Sequence, residues 1–320
     1  MNLTSVKKGE GVLAIEPEDA QAAPNSARAA VKSAQHLSHD DAHAAETLII
    51  EPTHGWVRLN VKELVRHREL LYFLVWRDVK VRYKQTVLGV AWALLVPIFS
   101  MLIFTAIFGN FAGLKNKLPP ELIAAYPVYV YAGLLPWLFF SNAVSLGGQS
   151  LVNQQQLLTK IYFPRLYVPT ATVCGGLVDM AISLVVFAGL MMWFGLYPSW
   201  RLIALPGAIT LTIVASLGIA YLLSALTVSY RDFRFVIPFM VQAWQFLSPV
   251  VYPSSIVPER YRLLYALNPM AGAIEAFRWA TLGVPCSWST IAVSSLSSLL
   301  LFGLGVMYFR KTERRFADIA

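Results

Sequence analysis

Six long runs that carry almost no charge constrain this chain more than any other feature. Residues 87–108, 126–148, 202–228, 235–252 and 288–309 contain no Asp, Glu, Lys or Arg, and residues 168–190 contain only Asp179. An α-helix needs about 20 apolar residues to cross roughly 30 Å of hydrocarbon. A membrane barrel strand is half that length and alternates in polarity. The runs therefore predict an all-α membrane protein with about six transmembrane helices. Composition agrees: 57% of the 320 residues are hydrophobic and 14% charged, against about 45–50% and 25% for a soluble domain. Pro97, Pro136, Pro206, Pro238 and Pro249 fall in the runs and predict kinks or local breaks.

Charge sets the expected orientation. With the N-terminal side cytoplasmic, the inner flanks hold 14 Lys and Arg residues, within 66–84, 160–165, 231–234 and 310–315. The outer loops hold 6, namely Lys115, Lys117, Arg201, Arg260, Arg262 and Arg278. This bias places both termini in the cytoplasm, as an even number of spans also requires. The net charge of +8 thus reads as anchoring rather than nucleic-acid binding.

Four segments follow. Residues 1–55, rich in Ala, Ser, Pro, Gln and His, read as a disordered cytoplasmic tail. The first twenty residues have no apolar core of a signal peptide, so insertion is expected to use the internal spans. Residues 56–86 hold an interfacial amphipathic helix over 60–76 and its lead-in. Asn60 and Glu63 form a capping box, and Arg66, His67 and Arg68 lie apart from a stripe of Leu64, Leu71, Leu74 and Val75. Residues 87–310 are the six-span transmembrane domain, and 311–320 a cytoplasmic C-terminal tail. Between the last two spans, residues 265–282 are apolar but interrupted by Asn268, Pro269, Glu275 and Arg278. A re-entrant or interfacial helix is expected there, with Glu275 and Arg278 placed to pair at i,i+3.

Enzyme chemistry is not evident. There is no Gly-Lys pair and hence no P-loop for ATP. Four of the five histidines lie in the tail, and no paired carboxylates occur in the spans. The tail cluster of His36, His39, Asp40, Asp41 and His43 has no rigid surroundings to hold a metal, so no metal site is expected. Cys174 and Cys286 are spaced for neither a disulfide framework nor a metal. Ser145 to Gln149 reads as small-residue helix packing. Asp179, costly inside a span, is expected to face the bundle interior or lie near water.

What remains suits passage. Trp92, Tyr131, Trp137, Tyr221, Trp244 and Tyr252 offer ring faces that match the C–H faces of sugars, although interfacial belts and helix packing explain most aromatics in such chains. Gln242 and Gln245 flank Trp244 and suggest a polar stripe. The segment 153–169, with Gln155, Lys160, Tyr162, Phe163 and Arg165, has the polar and aromatic composition of a docking surface.

The residues also resemble a family. Arg77-Asp78-Val79-Lys80-Val81-Arg82-Tyr83-Lys84-Gln85-Thr86-Val87-Leu88-Gly89, Thr159-Lys160-Ile161-Tyr162-Phe163-Pro164-Arg165, Tyr230-Arg231-Asp232-Phe233-Arg234 and Leu267-Asn268-Pro269-Met270-Ala271-Gly272 are similar to permease subunits of ABC exporters for O-antigen, capsule and teichoic-acid polymers. The likeness runs from about residue 60 to the C-terminus. It implies a homodimer in the bacterial inner membrane with two separate ATPase subunits, so that no cofactor binds this chain and ATP and Mg lie on the partner. It implies export of a lipid-linked polysaccharide, an ATPase-coupling segment around Gln155, Lys160, Tyr162, Phe163 and Arg165 with Arg231 as a second contact, and a lipid pyrophosphate contact at Arg66, Arg68, Arg77 and Arg82. It also implies re-entrant helices over 253–285. The alternatives are an ABC exporter of a drug or lipid, an ion-coupled secondary transporter, which needs inverted repeats and several buried ionisable groups, and a membrane glycosyltransferase, which needs a carboxylate or histidine cluster.

Overall fold

The computed structural model describes residues 66–84, 91–155 and 163–313. The expected tail, its histidine cluster, the start of the interfacial helix, Lys160, Tyr162 and residues 314–320 lie outside the described residues. Among those described, every regular element is helical: α1 Arg68–Lys84, α2 Ala91–Phe104 continued by a π-helical stretch Thr105–Phe111, α3 Tyr126–Asn153, α4 Tyr167–Trp193, α5 Leu205–Ser229 entered through a 3-10 turn Trp200–Ala204, α6 Phe233–Leu247, α7 Pro269–Leu282 and α8 Trp288–Glu313.

Five of these, with their extensions, are long and apolar enough to cross a bilayer: Ala91–Phe111, Tyr126–Asn153, Tyr167–Trp193, Trp200–Ser229 and Trp288–Glu313. The run at 235–252 folds differently. Its helix, α6, has 15 residues, about 22 Å at 1.5 Å per residue, and Ser248 to Pro253 continue as irregular chain. α6 runs along α3, from Ile237 beside Gly148 to Trp244 against Phe140, and Val250 reaches Gly133.

α3 is the buried axis, with Tyr129, Tyr131, Trp137 and Phe140 sealed in the core. Lipid is as apolar as leucine, so helices associate in it through close backbone approach and hydrogen bonds rather than through burial. The small residues serve that approach. A Cβ on Gly147 would lie 2.9 Å from Ala220 Cβ, and one on Gly148 3.0 Å from Ile237 Cδ1, which fulfils the packing expectation for 145–149. α5 and α8 cross more tightly still. A Cβ on Gly218 would lie 2.6 Å from the Phe302 nitrogen, and one on Gly305 would collide with the Gly218 carbonyl. The hydroxyls of Thr212, Ser216 and Thr227 donate to the carbonyls four residues back, which satisfies them without a partner helix.

The prolines sort by position. Pro97, Pro136 and Pro238 lie inside helices, whereas Pro206 occupies the first turn of α5, where a missing N–H costs nothing. Pro169 likewise sits in the first turn of α4. α1 continues eight residues past the expected end at Trp76. Its Leu74 packs with Leu151, Phe163, Tyr167, Val168, Tyr221 and Phe309 in a second core at one end of the bundle.

Candidate functional site

Polar side chains concentrate at two ends of the bundle. At the end carrying α1, three clasps tie separate elements together. Arg77 Nη2 donates to Asp78 Oδ1 and to Gln154 Oε1, both at 2.7 Å, which joins α1 to the C-terminus of α3. Arg82 and the Tyr83 hydroxyl both donate to the Asp179 carboxylate, which joins α1 to α4. Arg165 Nη1 donates to the Glu313 carbonyl at 2.8 Å, which joins the start of α4 to the end of α8. Burial and the adjacent Asp179 carboxylate push the Tyr83 phenol above its ordinary range.

Beneath the second clasp lies a cavity of about 310 Å³, within the range of small-molecule sites, whose wall includes Arg82, Tyr83, Trp92, Asn142 and Asp179. The Trp92 ring in the same wall is 54% exposed. Asp179 is thus a partly buried acceptor that orients two α1 side chains. Two guanidiniums expected to be available for phosphate, Arg77 and Arg82, are instead held by this chain's own acceptors. Arg66 and Arg68 stand exposed at the start of α1.

At the opposite end, Arg278 is 3% exposed and is held by carbonyl oxygens. Its Nη1 donates to the Pro249 carbonyl at 2.6 Å and to the Tyr129 hydroxyl at 2.9 Å, and Nη2 to the Val250 carbonyl at 2.6 Å. The guanidinium carbon lies 3.7 Å from the Tyr129 ring centroid, a cation–π contact. The expected Glu275–Arg278 pair does not form. Glu275 Oε2 instead accepts the Ser287 N–H at 3.1 Å. Burial pushes its carboxyl above the usual range, opposed by the Ser254 hydroxyl, the Ser287 N–H and Arg278. The partners diverge because Gly133 leaves room for the guanidinium against α3: a Cβ there would collide with it and with the Val250 carbonyl.

Asn268 holds the same end. Its Oδ1 caps α7 through Met270 N at 3.0 Å and accepts from Trp244 Nε1 at 2.9 Å, while Nδ2 donates to Ser248 Oγ and the Leu247 carbonyl. α7 stops at Gly283, whose φ of 69° suits glycine and whose carbonyl accepts from Arg201 Nη1 at 2.8 Å.

The predicted path residues separate accordingly. Tyr131 and Trp137 are 0% and 1% exposed; they pack in the core of the bundle, against Phe187 and Phe140, and present no ring face to a ligand. Tyr221 is buried, its hydroxyl 2.8 Å from Thr170 Oγ1. Trp244 is half-buried and bound to Asn268, and the Tyr252 hydroxyl donates to the Phe246 carbonyl at 3.1 Å. Trp92 and Gln242 are exposed. In the docking segment, Gln155 is exposed but Phe163, expected to be so, is 7% exposed within the second core; it fastens the segment to the bundle. Arg231 is exposed. Asn142 went unpredicted, and Gln154 and Tyr83 lay in segments already singled out but without their partners: a Gln, Asn or Tyr gives no sequence signal of its contact until packing supplies it. No group of three His, Cys, Asp or Glu able to hold a metal occurs among the described residues.

Comparison with known proteins adds identity to this geometry. The family model described as ABC-2 type transporter matches residues 69–282. The chain is 30% identical over 257 residues to the O-antigen export system permease protein RfbA of Myxococcus xanthus, covering 79% of this chain and 96% of the relative. It is 24% identical over 253 residues to the O-antigen export system permease protein RfbA of Klebsiella pneumoniae, covering 78% and 95%. It is 23% identical over 242 residues to the polysialic acid transport protein KpsM of Escherichia coli, covering 74% and 91%.

Proposed function

This chain belongs to the ABC-2 type transporter family, and from that premise we propose that it is the permease subunit of an exporter that moves a lipid-linked polysaccharide out of the cytoplasm. The observation that carries the reading is the extent of likeness to an O-antigen export permease: 96% of that relative is matched, a stretch long enough to span the bundle and both polar ends. The family implies a separate ATPase subunit, which supplies ATP and Mg. This chain is a multi-pass membrane transport component.

Two copies pair in the bacterial inner membrane with termini in the cytoplasm, and the glycan passes between them. Gln242 supports this. It is exposed on a helix face that it shares with Phe235, Phe239 and Phe246, at i−7, i−3 and i+4, all exposed. An amide facing hydrocarbon would lose its hydrogen bonds, so Gln242 faces a polar path or a second copy. The end carrying α1 is the cytoplasmic one. There Arg66 and Arg68 contact the lipid pyrophosphate, since guanidinium forks match phosphate oxygens, and Arg77 and Arg82 hold the helix that presents them. The cavity beside Trp92 receives the first sugars. Gln155, Lys160, Arg165 and Arg231 face the ATPase.

The test is made in cells that display the polymer. Loss of the chain removes polymer from the surface and leaves lipid-linked polymer on the cytoplasmic leaflet, and the intact chain restores export. Unchanged surface polymer refutes the reading.

A further inference from the structure

The end of the bundle away from α1 encloses a second cavity of about 370 Å³, between the 253–255 turn, α7 and the 284–287 segment. That volume lies within the roughly 300–1,000 Å³ of small-molecule sites. Two buried polar atoms in its wall lack a hydrogen bond of regular geometry: Glu275 Oε1 and the Tyr265 hydroxyl. Glu275 is 8% exposed, its second oxygen is taken by the Ser287 N–H and the Ser254 hydroxyl lies near its carboxyl, while the Tyr252 hydroxyl lies near that of Tyr265; neither neighbour completes a bond of regular geometry to Oε1 or to the Tyr265 phenol, so both atoms have room for a group from outside. Buried polar atoms left unpaired are costly, and native chains keep them where a ligand or ordered water completes them.

The wall also sorts ligand classes. Arg262, Arg278 and Lys117 line it and oppose a metal cation. Arg262 is already paired with Glu259, and Arg278 with the Pro249 and Val250 carbonyls, so neither presents its guanidinium fork to an anion such as phosphate. A neutral polyhydroxylated ring meets both demands, because each hydroxyl donates and accepts at once. We propose that this cavity is a subsite for one neutral glycosyl unit, with Glu275 Oε1 accepting from one ring hydroxyl and the Tyr265 hydroxyl bonding its neighbour. The assignment rests on the reading of the chain as a glycan exporter and names a sugar contact at the far end of the path, apart from the cavity beside Trp92.

Cys286 lines the same cavity and reports on its occupancy. The full chain carrying Cys174→Ala is purified in detergent, and maleimide labelling of Cys286 is timed with methyl glycosides of neutral hexoses, 6-deoxyhexoses and N-acetylhexosamines. At least one glycoside slows labelling saturably. Glu275→Gln and Tyr265→Phe each raise the half-protecting concentration by about tenfold, the loss of one hydrogen bond to a buried group, while leaving the unfolding temperature unchanged. Glu275→Gln keeps the acceptor for Ser287, and Tyr265→Phe is an independent variant should the first fail to fold. Absence of protection by every glycoside, in a chain that surface polymer still requires, overturns the subsite and leaves the export reading standing. Equal protection by inorganic phosphate, calcium or glycerol also overturns it. Surface polymer that is indifferent to the chain sinks the export reading by itself.

Discussion

The two polar ends of the bundle are held by different chemistry. At the α1 end, Arg77, Asp78, Arg82 and Asp179 are each partly open to solvent, and in two of the three clasps side chains hold side chains. At the other end a nearly inaccessible Arg278 is held by backbone carbonyls and a tyrosine. Ion pairs within reach of water contribute about 0–1 kcal/mol each and exchange readily with water. A buried guanidinium whose donors are matched to carbonyls is worth several times more, because breaking it orphans every partner. The α1 end is therefore built to rearrange, which suits the docking role proposed for it. The Arg278 end is built to hold one arrangement.

Arg278→Leu tests that contrast most severely. It leaves the Pro249 and Val250 carbonyls and the Tyr129 hydroxyl without their donor, for an expected loss of roughly 3–5 kcal/mol, read as a lower unfolding temperature of the full chain in detergent. Arg278→Lys retains charge but has no fork to reach both carbonyls, so its loss is intermediate. A leucine variant that melts like the parent breaks the comparison. Next in size is the α5–α8 crossing that connects the two ends. Gly218→Ala drives a methyl into the Phe302 backbone and costs about 1–3 kcal/mol, whereas Gly303→Ala on α8 meets nothing within 4 Å and gains a few tenths of a kcal/mol from helix propensity. The pair is scored by the same melting experiment.

Asp179→Leu removes the acceptor of both Arg82 and Tyr83, yet these regain water, so stability falls by only about 1 kcal/mol. The sharper readout is substrate-stimulated ATP hydrolysis in the assembled transporter, which drops if the α1 clasp transmits motion and stays constant if it does not. Smallest in stability is Arg231→Glu, an exposed change expected to stay within about 0.5 kcal/mol while weakening co-purification of the ATPase subunit. Undiminished co-purification removes Arg231 from that interface.

Residue by residue, the sequence spoke clearly where a bilayer imposes a local rule. The spans at 126–148, 168–190, 202–228 and 288–309 needed only length and the absence of charge but for Asp179, and the helices with their extensions run a few residues past them at one or both ends. The run at 235–252 was equally apolar but folds as a 15-residue helix and an irregular tail, because the Leu247 carbonyl accepts from Asn268 and the Pro249 and Val250 carbonyls from Arg278 instead of from helical N–H groups. Asn268 was legible as an interruption but not as a hub: its amide gathers partners from α6 and α7 that no spacing reveals. Phe163 looked like a docking aromatic and proves to be an anchor, since composition cannot distinguish a ring facing a partner from one facing Tyr167 and Phe309.

Hydrophobic length alone determined that this chain is an all-helical membrane protein, since in hydrocarbon a backbone must bond to itself and that requirement is written within each twenty-residue window. Only the tertiary structure decided which polar groups meet. Arg278 finds Tyr129 across 149 positions of chain rather than Glu275 three residues away, because a buried guanidinium takes the geometry that fills its donors, and the empty side of Gly133 supplies it.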